Sequence, residues 1–325
     1  MKISGQKSLS AGPDGRRQLV MIPQTQYNKT VKQVFPLHRY IFIFTLLFFC
    51  VLFPAAGQAG SSVWTVSKNN AALFLGGSIH ALRSGDFPLP AEFDRALAQS
   101  SMLVLEADTE RMANTDMTQY LMRRMVLPDG KTLESLLDSE IYAMLKVKCE
   151  KFGLPAEAVA RWKPSMVMVT LSVLEMQNAG FVQQGVDDYC FGKAKEAGKP
   201  LDFLETAEEQ IDMIVAMGEG YENDYVKYSL NDMDNTEKEL AAIVSGWRAG
   251  DAASTEKTLT EMKDNWPVLY QTLVLDRNEA WLSRLEEYLA GGNAVFVLVG
   301  LAHLHGPDGL LRRLVDSGCT VKQFR

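Results

Sequence analysis

Two histidines stand in the same tetrapeptide context near opposite ends of the chain, Gly77-Ser78-Ile79-His80 and Gly300-Leu301-Ala302-His303. Each follows an apolar run, AALFLG at 71–76 and AVFVLV at 294–299, in a chain that holds only 4 histidines. A third apolar run, MLVL, ends on Glu106. An apolar strand that delivers a polar group at its carboxyl edge is how an α/β sheet presents chemistry. The glycine three residues before each histidine lets the backbone turn sharply or approach a ligand closely. Two imidazoles and a carboxylate are a donor set for a divalent metal ion with open positions. Without metal, His80, Glu106 and His303 would serve as a general base with an orienting carboxylate. Arg277 opens the helix that leads to the His303 strand, where it can pair with Glu106 or with an anionic substrate. Asp187-Asp188 offer further carboxylate, although a helix N-cap is the simpler account of them. His305 reads as a loop residue. The chain has no Walker A loop, dinucleotide glycine fingerprint, GxSxG elbow or HExxH pair.

The elements that must position these groups alternate in a βα manner, interrupted by helices. Residues 63–66 and 71–75 read as a hairpin around Lys68-Asn69-Asn70. A helix over 91–99 precedes the 102–105 strand. Helical periodicity then covers 133–152 and 165–177, with Met166, Met168 and Met176 as core packing. A helix over 187–197 and a short strand over 200–204 follow. Thr206, with Glu209 three residues on, opens another helix as a capping box. The 221–265 stretch is acidic and helical, and 276–289 is a long amphipathic helix. Strand 294–299, helix 308–316 and strand 320–324 close the chain as a β-loop-α-β unit whose strands would lie parallel.

Residues 40–56 (YIFIFTLLFFCVLFPAA) form an uncharged apolar block preceded by seven Lys/Arg and one acid, Asp14. Small residues at Ala55, Ala56, Gly57 and Ala59 suit a signal-peptidase cut, which makes 1–59 a signal peptide or an uncleaved signal anchor. His38 belongs to that segment. The expected location is the periplasm or the exterior, with membrane contact only through an uncleaved leader. Residues 60–325 carry 26 basic and 39 acidic side chains, a net charge of −13 with no basic cluster. That balance argues against nucleic acid as a partner. Cys149, Cys190 and Cys319 show no CxxC spacing; a Cys149–Cys190 bridge is permitted, but the simpler expectation is small buried hydrophobes.

In order and spacing the chain resembles the TraB/GumN family. The resemblance rests on Phe74-Leu75-Gly76-Gly77-Ser78-Ile79-His80, where the family usually has threonine in place of Ser78. It continues through Leu89-Pro90, Leu103-Val104-Leu105-Glu106, Gly185-Val186-Asp187, Lys193-Ala194, Gly198-Lys199, Leu204-Glu205-Thr206 and Gln210. Trp247 with Gly250-Asp251, Arg277-Asn278 and Gly300-Leu301-Ala302-His303-Leu304 with Gly306 and Gly309-Leu310-Leu311 complete it. The resemblance implies an α/β fold with a mixed, mostly parallel central sheet, surrounding helices and a helical insertion at about 108–180, like that of erythromycin esterases and the ChaN lipoprotein. Through similarity to the Tiki proteases it also implies a metal-dependent peptidase site of His80, Glu106 and His303, with Arg277 in support. A peptide or small molecule would be the substrate. The other expectation is a binding or regulatory module for a peptide, haem or polysaccharide-related ligand, without turnover; fold analogy alone does not decide.

Overall fold

The computed structural model describes residues 7–11, 17–21, 60–182 and 184–325. The apolar block at 40–56 and the cleavage region before Gly60 lie outside the described residues. The chain divides into two units, the second beginning at Ala59. In the first, β1 (Lys7–Ala11) and β2 (Arg17–Met21) pair antiparallel.

The second unit is built on a six-stranded mixed sheet. Strand β3 (Val63–Lys68) turns through Asn69 and Asn70 into β4 (Ala71–Ser78). Both asparagines have positive φ, 51° and 68°, the backbone that a two-residue primed hairpin turn requires. A short β5 (Leu82–Arg83) follows His80, and then come α1 (Ala91–Gln99) and β6 (Met102–Leu105). Five helices run next: α2 (Thr109–Met112), α3 (Thr115–Arg124), α4 (Leu133–Leu136), α5 (Ser139–Lys151) and α6 (Pro164–Asn178). Strand β7 (Phe181–Val182) pairs with β5 outside the main sheet and leads into α7 (Val186–Glu196) and β8 (Leu201–Phe203). The helices α8 (Ala207–Ala216), α9 (Glu222–Asp232), α10 (Thr236–Ala249), α11 (Ala253–Asn265) and α12 (Pro267–Tyr270) follow. A π-helical turn, Gln271–Leu275, passes directly into α13 (Asp276–Ala290). The chain closes with β9 (Val295–Gly300), α14 (Leu310–Asp316) and β10 (Thr320–Gln323).

The strand order is β10-β3-β4-β9-β6-β8. Strands β4, β9, β6 and β8 run parallel, and β3 is antiparallel to both β4 and β10. The sheet is thus mostly parallel, as expected. The last two strands do point the same way, but they are not neighbours: β3 and β4 lie between them, and β10 closes the edge by pairing with β3. Alternation along β9 shows why the sheet carries helices on both faces. Phe296 and Leu298 pack with Phe93, Leu97, Val186, Val244 and Trp247, whereas Val295, Val297 and Val299 pack with Trp281, Leu285, Leu310 and Leu314.

The helical block keeps a core of its own around Leu133, Leu145, Val167, Met168 and Leu171, and that core also takes in Tyr225, Val226 and Leu230 of α9. The block drawn at 108–180 is therefore completed by a helix that lies beyond β8. The run over 133–152 breaks into α4 and α5 at Leu137-Asp138. The cysteines Cys149, Cys190 and Cys319 are free and buried, in the manner of small hydrophobes. Among the described residues no helix is long and apolar enough to cross a membrane.

Trp247, fully buried, ties α10 to the sheet: its indole N–H donates to the Gly77 carbonyl at 2.7 Å, and its own carbonyl accepts from the Ser62 hydroxyl at 2.9 Å. Trp247→Ala is expected to cost about 3–5 kcal/mol, the range for a large core aromatic. Urea denaturation checks this, and a change under about 1 kcal/mol would contradict so central a place in the packing.

Candidate active site

Strands of common direction end at one edge, and the polar residues that follow β4, β6, β8 and β9 all gather there. His80 lies two residues beyond β4, Glu106 directly after β6, Glu205 two residues beyond β8, and His303 on the 3₁₀ turn Leu301–His303 that follows β9. Glu106, 7% exposed, accepts from the Gly300 backbone N–H at 2.6 Å through Oε1. A Cβ at position 300 would stand 3.2 Å from that oxygen, so glycine lets the carboxylate rest on the backbone. Glu106 Oε2 accepts from Arg277 Nη2 at 2.6 Å and, more distantly, from Gln210 Nε2 at 3.4 Å.

Arg277 binds more than Glu106. Its Nε and Nη2 form a two-pronged pair with Glu205, at 3.0 and 2.6 Å, and its Nη1 donates to His303 Nε2 at 2.9 Å. The guanidinium also lies over the Trp281 ring, 4.4 Å from its centroid. Arg277 and Trp281 are four residues apart on one helix face, so α13 builds this stack locally. Asn278 fixes the state of His303. Its Nδ2 donates to two carbonyls, those of His303 and Asp308, which leaves Oδ1 as an acceptor for His303 Nδ1–H at 2.8 Å. His303 is therefore the Nδ1–H tautomer, with the Nε2 lone pair aimed at Arg277.

His80 forms the outer half of the site. Its Nδ1 meets Asp187 Oδ2 at 2.8 Å, and among the described residues Nε2 has no partner. Asp188, the next residue, instead accepts from Gly185 N at 3.2 Å and caps α7. Gly185 is what lets α7 come this close, because a Cβ there would stand 2.4 Å from the Ile79 carbonyl oxygen. His80, Glu106, Ala107, Thr109, Asp187, Asp188 and Gln210 line one cleft of about 170 Å³. The His80 side chain is 71% exposed because it borders that open cleft. A larger hollow of about 620 Å³ lies beside α11, but its Lys263 and Arg312 are paired, with Asp308 and Asp316, and no strand-end residue of the site lines it.

The electrostatics divide the two histidines. The Asp187 carboxylate and its hydrogen bond raise His80 to about 9 against the opposing effect of burial, although water around the ring screens that pair. Burial pushes His303 down to about 4, and the neighbouring Glu106 charge only partly opposes it. Burial also resists ionisation of Glu106, but the charges of His303, Arg277 and His80 and the Gly300 N–H outweigh it and hold Glu106 at about 2. At neutral pH His303 is uncharged, so the cations that favour Glu106 ionisation there are Arg277 and His80, and His303 adds its charge only as it protonates toward about 4. Burial raises Glu205, with the Glu106 charge adding to it, while Arg277 works the other way.

His80, Glu106, Arg277 and His303, all predicted from the sequence, are thus brought to one edge. His303 Nε2 lies 3.9 Å from Glu106 Oε1. Arg277 sits against both Glu106 and His303, His80 is engaged with Asp187, and among the described residues no group of three His, Cys, Asp or Glu could hold a metal ion. His305 packs edge-on against Trp64 at 5.4 Å, away from the cleft. Glu205, Asn278 and the partnership of Asp187 with His80 were not legible as functional residues. The rule that found Glu106, a carboxylate directly after an apolar strand, does not reach Glu205, because β8 reads Leu-Asp-Phe and Glu205 lies two residues beyond it.

A model of the TraB/PrgY/gumN family matches residues 62–323, and the chain belongs to that family. It is similar to the uncharacterized protein YbaP of Escherichia coli (strain K12), 26% identical over 242 residues that cover 73% of this chain and 86% of that one. The uncharacterized protein YbaP of Shigella flexneri matches to the same extent. No solved structure matches the chain.

The shifted groups make stability depend on pH with a definite sign. Glu106 and His303 have lower pKa values in the fold than their ordinary 4.5 and 6.5, so the unfolded chain binds more protons as pH falls. Their contributions are complete above those ordinary values and are lost as pH falls toward about 2 and about 4. His80 is raised, so its contribution is complete below about 6.5 and is lost as pH rises through about 9. Melting temperature measured against pH should lose part of its alkaline decline in His80→Gln and part of its decline between pH 6.5 and 4 in His303→Gln. An alkaline limb identical in wild type and His80→Gln would contradict the pairing with Asp187.

Proposed function

We propose that this chain is a hydrolase of peptide-type acyl bonds in which His80 is the general base. The observation that supports this most is the Asp187–His80 pair bordering one cleft with Glu106. Asp187 on Nδ1 orients the ring and leaves Nε2 open to the cleft, the arrangement by which a carboxylate-held imidazole takes a proton from water or from a nucleophile. Glu106 stabilises the imidazolium that forms, since its charge favours protonation of His80. Arg277 and Gly300 keep Glu106 ionised while it does so. A divalent ion, where one takes part, would polarise the scissile carbonyl and lower the pKa of water; the residue roles above do not depend on it.

Turnover of an internally quenched peptide library by untagged protein in the presence of chelator is the test. The rate should rise with pH toward about 9 as His80 deprotonates. His80→Gln should lose about 10²–10⁴-fold, the usual worth of a general base. Activity that vanishes in chelator and returns with a divalent ion would restore the metal-dependent reading. A folded protein that binds peptide without cleaving it would favour a binding or regulatory module.

Export belongs to the same proposal, on the strength of the basic and then apolar leader at 1–59. Intact mass of the protein recovered from a periplasmic fraction should correspond to a start near residue 60. Full-length chain recovered only from the cytoplasm would contradict it.

A further inference from the structure

We infer that the Arg277 guanidinium is the resident cation of this site, standing where Glu106, Glu205 and His303 would otherwise hold a divalent metal ion. Four of its five N–H groups go to those three side chains: Nη2 to Glu106 and to Glu205, Nε to Glu205, and Nη1 to His303. The fifth points toward the Leu273 carbonyl at 3.5 Å. Two carboxylates and one imidazole are a common donor set for zinc and related ions. The set differs from the trio read in the sequence, because Glu205 takes the place of His80.

Two features make the point specific. A histidine that binds metal through one nitrogen usually donates its other N–H to a fixed acceptor. His303 does so, Nδ1–H to Asn278 Oδ1, and Asn278 is itself locked by two carbonyls. The ring thus holds the tautomer and orientation of a metal ligand, yet its lone pair meets a guanidinium. The second feature is the charge count in a closed space. Glu106, Glu205, His303 and Arg277 are 7, 11, 6 and 13% exposed, and the two carboxylates carry −2 against a single +1. Arg is planar, permanently charged and forked, which suits it to bridge carboxylates. With the guanidinium among them, no three His, Cys, Asp or Glu groups of the described residues are placed to hold a metal ion.

Removing the guanidinium should therefore leave a buried and a half-buried carboxylate and an oriented imidazole with no cation among them, and a divalent ion should enter. The inference stands apart from whether the site hydrolyses anything, because metal uptake is read without turnover. Untagged full-length protein is titrated with Co²⁺, read by visible absorption, and its metal content is measured after dialysis. Wild type should take up less than about a tenth of an equivalent. Arg277→Ala should bind one equivalent at least 100-fold more tightly than wild type, and Arg277→Ala/Glu205→Gln should lose that gain. His80→Ala placed on Arg277→Ala should leave it unchanged. Should Arg277→Ala fail to fold in chelator, it is refolded with Co²⁺; native circular dichroism with a bound-cobalt spectrum supports the inference, and failure to fold with the ion overturns it. One equivalent bound by wild type and lost in His303→Ala would overturn it as well, as would a folded Arg277→Ala that binds none.

Discussion

Two carboxylates from different strands, the buried Glu106 after β6 and the half-buried Glu205 after β8, lie at the same sheet edge and meet on one guanidinium. Like charges this close and this far from water cannot both stay ionised without a cation between them. Arg277 is that cation, and breaking a buried pair of this kind by removing one partner typically costs about 3–5 kcal/mol. The rest of the edge is arranged around it. Trp281 supplies the flat surface under the guanidinium, Asn278 turns His303 toward it, and Gly300 leaves room for Glu106 to sit on a backbone N–H.

This constraint separates the edge into two halves with different chemistry. The inner half, Arg277, Glu205, His303 and Asn278, is closed, with its hydrogen bonds assigned and its imidazole neutral. The outer half, His80 and Asp187, faces an open cleft and carries a histidine whose pKa is raised. Glu106 belongs to both, bound from within by Arg277 and facing His80 across the cleft. A rigid, hydrogen-bonded floor under a titrating group at the rim is a sound basis for acid–base chemistry, because its dipoles and charges are already oriented when the rim group changes charge.

Much of the scaffold was legible because it rests on short-range rules. Strand β6 and helix α1 fall on the residues that apolar runs and helical spacing indicate, Asn69-Asn70 makes the turn its residue types favour, and Thr206 with Glu209 forms the capping box. The pairing of β10 with β3 was not legible, since which edge a strand joins depends on contacts more than 250 residues apart in sequence. In the site, the matched Gly-x-x-His pair revealed both histidines, but not that they do different work. His80 is paired with Asp187 and His303 with Asn278, and those partners come from helices whose placement only the fold determines. Asp187 and Asp188 are neighbours of identical type, one bound to a histidine and the other capping a helix, and nothing in their local sequence tells them apart. Arg277 could be named as a partner for Glu106, but that it also reaches Glu205 and His303 follows only from the convergence of β6, β8 and β9.

The division of the edge into a neutral inner histidine and a charged outer one is open to direct measurement by long-range proton–nitrogen correlation of the imidazole side chains across pH. With only 4 histidines in the chain, His80 and His303 can be assigned by single substitution. The account predicts that His303 keeps one protonated and one bare nitrogen, Nδ1–H and Nε2, from pH 8 down to about 5, while His80 has both nitrogens protonated at neutrality and loses a proton only as pH rises toward 9. A His303 that titrates near the ordinary imidazole value, or that carries its proton on Nε2, would contradict the placement of Arg277 against it and the account built on that contact.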